Sequence, residues 1–386
     1  MNIDKSSWQP VTLGNICTKK EENDRENASS NFDRFLKVEH LDADSLHIKR
    51  WGEIVKDELP PTFYKIFRKG QVLYPTRNPH LRRVALASFD GICGEKTLTL
   101  EANNELVDEQ FFPQLFLSHS FYSHTTSAIV GSTNPHVRWR DVADFKILLP
   151  PKDQQAKLAE LLWAADETIE RLEELMKSEL IVKDCLRKVF FKDYKGKFVK
   201  AGTIFKLTAG GTPSTSERRY WENGSIKWMA SGDVHKKRIY DVEGRITEDG
   251  LNNSSTKILP ENSVVIALAG QGKTKGTVAI TKVELCTNQS VAAFLPNKQL
   301  FLPEFLFHYL DSKYDDFREM TGDSNSRTGL NLAILKEIQV PNLTILEQEA
   351  IVTRINIVED CILEIGNQIS KTQLIKKQLI NQIFSA

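Results

Sequence analysis

The chain has 386 residues, 51 of them Lys or Arg and 51 Asp or Glu, so its formal charge of zero gives no overall sign of a nucleic-acid partner. Its five cysteines lie far apart and form no CxxC pair or Cys/His cluster, which argues against a zinc site or a disulfide framework and fits a reducing cytoplasm. No apolar run approaches the ~20 residues that span a bilayer, and the N-terminus lacks the apolar segment of a secretory signal. The length predicts two or three domains.

The first strongly charged segment covers residues 65–83, KIFRKGQVLYPTRNPHLRR, and contains six Lys or Arg but no acidic residue. Charges that separate in this way can form a basic face on a neutral protein, although ordinary solvated surface is the alternative. Further along, RRVALASF (82–89) favours a strand and FFPQLFLSHSFYSH (111–124) favours a helix.

A long helix is predicted after Pro150-Pro151, because apolar residues recur at steps of three and four from Leu158 to Met176. The pattern slips and then resumes at Val182. The same series, with the same slip, recurs 193 residues later near the C-terminus. Each helix is predicted to have roughly 30–40 residues and a length of ~45–60 Å. The predicted seam consists of Leu158, Leu162, Ile169, Leu172, Met176, Ile351, Ile355, Ile362, Ile365 and Ile369.

The repeat extends upstream of the helices, since KGQVLYPT (69–76) resembles ENSVVIALAG (261–270) and VTLGNI (11–16) resembles VKAGTI (199–204). We therefore predict two tandem mixed α/β (α+β) globules and two long helices, which pack as an antiparallel coiled coil. Two unrelated helices, each docked on its own domain, are the alternative. The predicted boundaries are 1–150 for the first globule, 151–195 for the first helix, 196–342 for the second globule and 343–386 for the second helix.

Near its start, the second globule has a glycine-rich segment with neighbouring Ser and Thr, a composition typical of phosphate binding: GGTPSTSERRYWENGSIKWMASGDV (210–234). Gly210 and Gly211 are expected to let the backbone approach a partner, and the Ser and Thr hydroxyls beside them can donate to phosphate oxygens. Trp221 and Trp228 are more typical of core anchors than of base-stacking groups. A structural turn between a helix and a strand is the alternative interpretation of the whole segment.

A second glycine segment, ALAGQGKT (267–274), resembles a nucleotide-binding P-loop, but Ala267 stands where that motif needs its first glycine. The following GTVAI favours a strand rather than the helix that a P-loop requires. We therefore predict a turn between two strands, with its lysines near a polyanion. The HExxH, GxSxG and GxGxxG signatures are absent from the sequence, so the chain is expected to bind without chemistry of its own.

Taken together, GGTPSTS followed by YWENGSIKWMASGDV resembles the target recognition domains of type I restriction–modification specificity subunits. LPENSVVIALAG and SNSRTGLNLAILKEIQVPNLTILEQEAIV (324–352) are similar to the same family, and STNPHVRWRDVADFKILLPPKDQQ (132–155) holds the equivalent place in the first half. The first half departs from the family because TKKEENDREN (18–27) replaces the Gly-Gly-Thr-Pro loop. The lead into each long helix also differs, as PPKDQQ in one half and PNLTILEQ in the other.

This resemblance implies that each globule reads one half of a bipartite, asymmetric site in double-stranded DNA, while the helices set the gap between the halves. Two methyltransferase (M) subunits would dock around the helices, and restriction/motor (R) subunits would join for cleavage. S-adenosylmethionine, ATP and Mg are expected on those partners only, so this chain would hold no cofactor, no metal and no catalytic residue. A divergent P-loop nucleotidase and a protein-only coiled-coil scaffold are the alternatives.

Candidate DNA contacts were chosen as cationic, amide and hydroxyl side chains in the glycine-rich, basic and Asn-containing segments of both halves. They are Arg77, Asn78, Arg82, Arg83, Asn134, His136 and Arg138 in the first globule, and Thr212, Ser214, Arg218, Arg219, Lys236, Lys273, Lys275, Asn325 and Arg327 in the second.

Overall fold

The computed structural model describes residues 3–270, 272–320 and 330–385. Contacts between Cα atoms divide the chain into two compact units: unit 1 comprises Met1–Glu174 with Ile365–Ala386, and unit 2 comprises Leu175–Glu364. Each unit holds one globule and segments of both long helices, so these units cut across the domain boundaries expected from the sequence.

The elements of the first half alternate short strands with short helices before the first long helix. They are β1 Gln9–Thr12, α1 Leu13–Ile16, β2 Cys17–Lys20, α2 Ala28–Asn31, β3 Arg34–Leu36, β4 Gly52–Glu53, β5 Phe63–Phe67, β6 Val72–Pro75, β7 Ala85–Leu86, β8 Gly91–Gly94, β9 Thr97–Ala102, α3 His119–Ser127, α4 Trp139–Ala143, β10 Lys146–Leu149 and α5 Lys152–Arg187. Helix α5 continues as a π-turn over Lys188–Lys192, and 3-10 turns occupy Val38–His40, Pro79–Leu81 and Phe112–Leu117.

The second half follows a similar order. Its elements are β11 Phe198–Lys200, α6 Ala201–Ile204, β12 Leu207–Ala209, β13 Ile226–Met229, β14 Arg238–Ile239, β15 Arg245–Ile246, α7 Glu248–Asn252, β16 Val264–Ala267, β17 Val278–Thr281, β18 Cys286–Thr287, β19 Val291–Phe294, α8 Pro303–Asp311, α9 Tyr314–Glu319, α10 Leu332–Glu337, β20 Gln339–Pro341 and α11 Ile345–Phe384. The 3-10 turns of this half are Arg218–Tyr220 and Ser231–Lys236.

The two units repeat one sheet topology. The main sheet has the order β2-β9-β6-β7 in unit 1 and β12-β19-β16-β17-β14 in unit 2, while the second sheet runs β4-β3-β8-β5 and β15-β13-β18. In both units the central strand β6 or β16 is buried throughout and pairs antiparallel with both neighbours. The predicted α/β fold and internal repeat are therefore confirmed.

The two long helices pack on each other within each unit and run in opposite directions there. In unit 1 the Lys376 ammonium lies 2.5 Å from a carboxylate oxygen of Asp166, and Ile380 and Ile383 share the core with Leu162 of α5. In unit 2 the corresponding pair is Lys183 with Glu359, 2.7 Å apart, and Arg354 stacks on Phe190. Within unit 2, the contact of Lys183 is Glu359 and that of the later residue Phe190 is the earlier residue Arg354. The two helices therefore run in opposite directions, and the antiparallel prediction is confirmed.

The predicted seam holds in its first part and fails only at the first position after the slip in each helix, since the later positions of the series, Leu186, Phe190, Leu379 and Ile383, are half-buried or buried. All ten seam positions are buried or half-buried, with Leu162, Ile351, Ile355 and Ile365 buried. The expectation that the seam resumes at Val182 and at its counterpart Ile375 is wrong, because these side chains are 44% and 54% exposed. Lys376 and Ile380 are buried there instead, since the ion pair with Asp166 turns a neighbouring face of α11 inward.

Candidate nucleic-acid interface

One end of the main sheet in unit 2 gathers most of the candidate contacts. Ala209 at the end of β12 pairs with Ala292, and Ala267 at the end of β16 pairs with Val291 at the start of β19. Because the strands are antiparallel, the connections 210–217, 268–277 and 288–290 all leave from this end. We call it the loop end of unit 2. The residues before β14 also lie here, because β14 runs parallel to β17.

The glycine loop (residues 210–217) packs on its own unit, contrary to the expectation that its glycines approach a partner. A Cβ on Gly210 would lie 2.1 Å from the Thr287 carbonyl oxygen, and one on Gly211 would lie 2.3 Å from the Ser255 hydroxyl. Both distances are far below van der Waals contact, so glycine is needed here for close packing inside the protein. This packing fixes the start of the loop and leaves its later residues to face solvent.

Two tryptophans hold the glycine loop by its carbonyl groups. The Trp228 indole N–H donates to the Gly211 carbonyl at 3.0 Å, and the Trp221 indole N–H donates to the Ser214 carbonyl at 3.0 Å. The two rings meet edge to face with centroids 5.0 Å apart. They therefore act as anchors of the loop, as the sequence predicted, and their ring faces are not arranged as a stacking platform for bases.

The outer part of the glycine loop presents hydroxyl groups, and the 3-10 turn that follows it, Arg218–Tyr220, presents two guanidinium groups. The Arg218 side chain is 87% exposed and the Arg219 side chain 65% exposed, and their partners Glu222 and Glu217, which are also exposed, lie 3.9 and 3.4 Å away. Such surface pairs are weak, so a phosphate can replace the glutamate. Ser214 is exposed and shares a hydrogen bond with Ser216, and the Thr212 hydroxyl donates to Gln289.

The segment that resembles a P-loop is a hairpin turn. Its described residues lie between β16 and the antiparallel strand β17, and β17 stands where a P-loop would continue into the helix whose N-terminus holds phosphate. The Tyr314 hydroxyl donates to the Lys273 carbonyl at 3.1 Å and fixes the turn. The Lys273 side chain is exposed and Lys275 is half-buried. The interpretation as a turn is confirmed.

Lys236 also lies at the loop end of unit 2, because the 3-10 turn that contains it, Ser231–Lys236, contacts the hairpin turn between β16 and β17. Nε2 of His235 lies 3.1 Å from the Thr274 hydroxyl oxygen, which joins this 3-10 turn to the hairpin. Lys236 pairs with Asp233 at 2.8 Å, and this hydrogen bond raises the pKa of Lys236. The loop end therefore carries cations from three separate stretches of sequence. Asn325 and Arg327 lie outside the described residues.

The corresponding loop end of unit 1 brings together four of the seven candidates of the first globule. β6 ends at Pro75, opposite Thr97. Beyond it, Arg77 forms a β-bridge with His136, and the Asn78 amide donates to the Pro135 carbonyl at 3.0 Å. Nδ1 of His136 lies 3.0 Å from the Asn134 carbonyl. The four candidates Arg77, Asn78, Asn134 and His136 therefore form one surface patch.

The other three candidates of the first globule are arginines whose guanidinium groups bind other groups of the protein. Arg82 pairs with Asp44, donates to the Leu117 carbonyl at 3.2 Å and stacks on the Tyr122 ring at 4.5 Å, and its side chain is only 19% exposed. Arg83 donates to the Val38 carbonyl at 2.9 Å. Arg138 pairs with Asp141 at 2.9 Å and remains 45% exposed.

The loop end of unit 1 is also conformationally constrained. Asn78 and Arg82, which flank the turn Pro79–Leu81, both have left-handed backbone, with φ of 52° and 53°. Non-glycine residues rarely adopt this region, and asparagine tolerates it best. Arg82 and Arg83 are therefore placed to hold the shape of the turn that presents Arg77.

Sequence reasoning missed three groups at these ends. Lys20 closes β2 beside the start of β9, and its side chain is 42% exposed. Gln289 and His235 contact the glycine loop and the hairpin in unit 2. A search for polar residues at the ends of predicted strands would have found Lys20 and Gln289, whereas His235 becomes visible only through its contact with Thr274.

The described residues contain no group of three or more His, Cys, Asp or Glu side chains arranged to hold a metal ion. Burial raises the pKa of Cys17 and of Cys93 to about 12, so these thiols stay protonated near neutral pH. Within the same residues, every helix is too short or too polar to cross a membrane.

The comparisons with known proteins agree on one family. The model of the type I restriction modification DNA specificity domain matches twice, at residues 5–180 and 194–374. The chain is 32% identical over 166 residues to the type I restriction enzyme EcoR124I/EcoR124II specificity subunit of Escherichia coli, an alignment that covers 42% of this chain and 40% of that one. It is 24% identical over 324 residues to the MjaVIII specificity subunit of Methanocaldococcus jannaschii, covering 76% and 74%.

Solved structures share the fold. The type I restriction–modification S subunit from M. genitalium matches with a TM-score of 0.63 and 16% identity, over 98% of this chain and 96% of the other. A chain from a structure that describes complex assembly and conformational transition of the type I R-M system matches with a TM-score of 0.66 and 20% identity, over 98% and 97%. With both of its halves matched by the family model, the chain belongs to the type I restriction modification DNA specificity domain family.

Proposed function

We propose that this chain is the DNA-specificity subunit of a type I restriction–modification complex. Each globule reads one half of a bipartite, asymmetric site, and the two long helices set the gap and dock two methyltransferase subunits. The observation that carries the proposal is the repeated loop end: two sheets of the same topology present exposed polar and cationic loops beyond the same strands. Family membership supports it.

In unit 2 the interface consists of the outer glycine loop and the lysines of the hairpin and of the turn before β14. The exposed Arg218 and Arg219 are the groups best suited to read guanine or grip phosphate, because their guanidinium groups have only weak partners. Thr212, Ser214, Lys236, Lys273 and Lys275 supply phosphate contacts. Backbone and lysine contacts position the domain, while arginine and amide contacts to base edges give specificity.

In unit 1 the interface centres on Arg77, Asn78, Asn134 and His136, with Arg138 at its border. The asparagine amide can donate to N7 and accept from N6 of adenine, and the arginine guanidinium group can donate to both O6 and N7 of guanine. Arg82 and Arg83 act behind this surface. Because the first globule lacks the glycine loop of the second, the two half-sites are expected to differ in sequence.

The chain itself supplies no chemistry in this proposal. Adenine methylation with S-adenosylmethionine takes place on the methyltransferase subunits, and ATP- and Mg-dependent motor and cleavage steps take place on the restriction subunits. A cytoplasmic location remains a prediction. The nucleotidase alternative has lost its basis, because the described residues of this segment lie between the antiparallel strands β16 and β17, and the comparisons give no support to the protein-only scaffold.

The test is a genome-wide map of adenine methylation in cells that express the chain with its neighbouring methyltransferase. The proposal predicts a bipartite motif with a fixed gap that disappears when this gene is deleted. An Arg77→Ala change should relax bases in one half of the motif only, and Arg218→Ala bases in the other half only. Absence of any motif that depends on the chain, in cells where the complex assembles, would refute the proposal.

A further inference from the structure

Each globule meets the helix pair through a similar arrangement of three polar groups, which we call the ionic joint. It consists of an acid on one helix, a lysine on the other helix and a basic side chain from the globule. In unit 2 these are Glu359, Lys183 and Arg238; in unit 1 they are Asp166, Lys376 and His47. The acids and the lysines are related by the 193-residue repeat, as the positions 166 and 359, and 183 and 376, show.

In unit 2 the joint is closely bonded. The two oxygens of Glu359 accept from Lys183 and from Arg238, each at 2.7 Å. Arg238 also donates to Glu304 at 3.1 Å and to the Asn356 amide oxygen at 3.2 Å. Its guanidinium group therefore bridges the sheet, helix α8 of the globule and helix α11. Charge-assisted bonds of this kind fix a direction as well as a distance.

In unit 1 the joint has the same kind of acid–lysine pair between the two helices, and His47 takes the place of Arg238. Lys376 lies 2.5 and 2.6 Å from the two oxygens of Asp166. His47 places Nε2 4.0 Å from Asp166, and its Nδ1 lies 3.0 Å from Glu170, one turn further along α5. The imidazole also meets the Trp163 ring of α5 edge to face, with centroids 5.7 Å apart.

His47 and Arg238 hold equivalent places although their sequences share no motif. The Leu46 carbonyl accepts from the Leu86 amide at 2.8 Å, and the Lys237 carbonyl accepts from the Ile280 amide at 2.8 Å. Leu86 and Ile280 are themselves equivalent, since they pair with the first residues of β6 and β16. The next residue in each chain segment, His47 or Arg238, is therefore the one that the globule contributes to the joint.

The same segments lead directly to the loop ends. In unit 2, Arg238 follows Lys236 by two residues, and His235 contacts the hairpin that carries Lys273. In unit 1, His47 follows Asp44 by three residues, and Asp44 binds Arg82 by an ion pair and a backbone hydrogen bond. A rotation of either globule about the helices would stretch its joint and shift its loop end at the same time.

We propose that His47 and Arg238 are positioning residues that fix the angle of each globule on the helix pair, and that they thereby set the tolerance of the gap between the half-sites. This inference rests on the proposed function. Without a joint, a globule could rock and reach its half-site at a gap one base pair shorter or longer, a displacement of ~3.4 Å along the duplex.

The experiment uses the full chain in complex with its methyltransferase partner and duplexes that carry both half-sites at the native gap or one base pair off. Initial methylation rates are measured for the wild type, for Arg238→Met and Arg238→Lys, and for His47→Ala and His47→Arg. Arg68→Met is the matched control, because Arg68 also bonds two carboxylates, Glu22 and Asp90, but lies at the opposite end of β6 from Arg77. After Arg238→Met, Glu359 keeps Lys183 and Glu304 keeps Lys282, so the fold should survive.

We expect Arg238→Met and His47→Ala to reduce the preference for the native gap about tenfold, a change of the size that coupled contacts produce. Arg238→Lys and His47→Arg should retain most of the preference, and Arg68→Met should leave it intact. A variant that merely weakens folding would lower all rates alike and keep the preference, and that result would overturn the inference. If methylation by Arg238→Met is too slow to assay, the ratio of binding affinities for the native-gap duplex and the altered-gap duplexes tests the same expectation. A wild-type complex with no bipartite motif at all would instead refute the proposed function.

Discussion

Gln155 and Gln348 occupy the same place in the two units and make the same set of hydrogen bonds. The Gln155 amide donates to the carbonyls of Pro150 and Leu106 and accepts from the Asp108 amide at 2.7 Å. Gln348 donates in the same way to Leu343 and Leu300 and accepts from the Leu302 amide at 2.8 Å. Both side chains are at most 1% exposed, so each long helix is locked to its globule at its first turn.

Replacing either glutamine should therefore destabilise its own unit. Gln155→Leu or Gln348→Leu strands one buried amide N–H and two carbonyls, and each stranded group costs about 1–3 kcal/mol. We expect an increase in hydrogen exchange confined to unit 1 for Gln155→Leu and to unit 2 for Gln348→Leu. Gln378→Leu, on the exposed face of α11, is the control and should leave exchange unchanged. Equal effects of all three changes would contradict this role.

The glycine loop offers a test of its internal packing. Gly210→Ala would place a methyl group 2.1 Å from the Thr287 carbonyl oxygen, so the backbone must shift, at a cost of about 1–3 kcal/mol. The second half-site should then be read poorly, while recognition of the first half-site persists. Gly232→Ala is the matched control, because a Cβ there has no neighbour within 4 Å. Binding to duplexes with a single half-site measures both; an undisturbed second half-site in Gly210→Ala would show that the packing is not needed.

The lysines of the unit 2 loop end should act through phosphate. Lys273→Ala and Lys236→Ala are expected to weaken binding to all sequences alike and to reduce the slope of log affinity against log salt by about 1 each. Lys298→Ala serves as the control, because Lys298 is exposed beyond the end of β19 that lies farthest from the loop end. Fluorescence anisotropy over a salt series gives the slopes. If Lys298→Ala lowered the slope as much as Lys273→Ala, the interface would have to be placed elsewhere.

Unit 2 should lose stability in acid in two steps. Burial lowers the pKa of His308 from its ordinary value of 6.5. As the pH falls below 6.5, His308 is therefore protonated in the unfolded chain before it is protonated in the folded chain, and the free energy of unfolding decreases. For Glu359, burial acts to raise the pKa, but the hydrogen bond and charge of Lys183 and the charge of Arg238 outweigh it and hold the pKa at about 2, against an ordinary 4.5. Its contribution is present above pH 4.5 and is lost as the pH falls towards 2.

Hydrogen exchange of α8 and the middle of α11 as a function of pH measures both steps. Each group contributes a slope of at most ~1.4 kcal/mol per pH unit within its window. His308→Gln should remove the step that begins at pH 6.5 and leave the acidic step in place. A wild-type stability that stays constant from pH 7 to pH 5 would contradict the assignment of a neutral, buried His308.

Elements whose signal is local and periodic could be predicted from the sequence alone. Heptad spacing from Leu158 to Met176 predicts a long helix because side chains three and four residues apart share one helix face, and the same spacing 193 residues later reveals the repeat. The missing first glycine at Ala267 and the strand that follows were enough to favour a hairpin turn over a P-loop. The quoted motifs also pointed to the correct family.

Contacts between residues far apart in the chain became visible only in the folded protein. Gly210 needs no side chain because Thr287 packs on it, and Arg82 turns away from solvent because Asp44, Leu117 and Tyr122 surround it. The shift of the seam at Ile375 follows from an ion pair that spans both helices, and the equivalence of His47 and Arg238 lies in strand pairing rather than in any shared motif. Such contacts depend on how the folded chain packs and where its charges lie, so the spacing of residues along the sequence does not predict them.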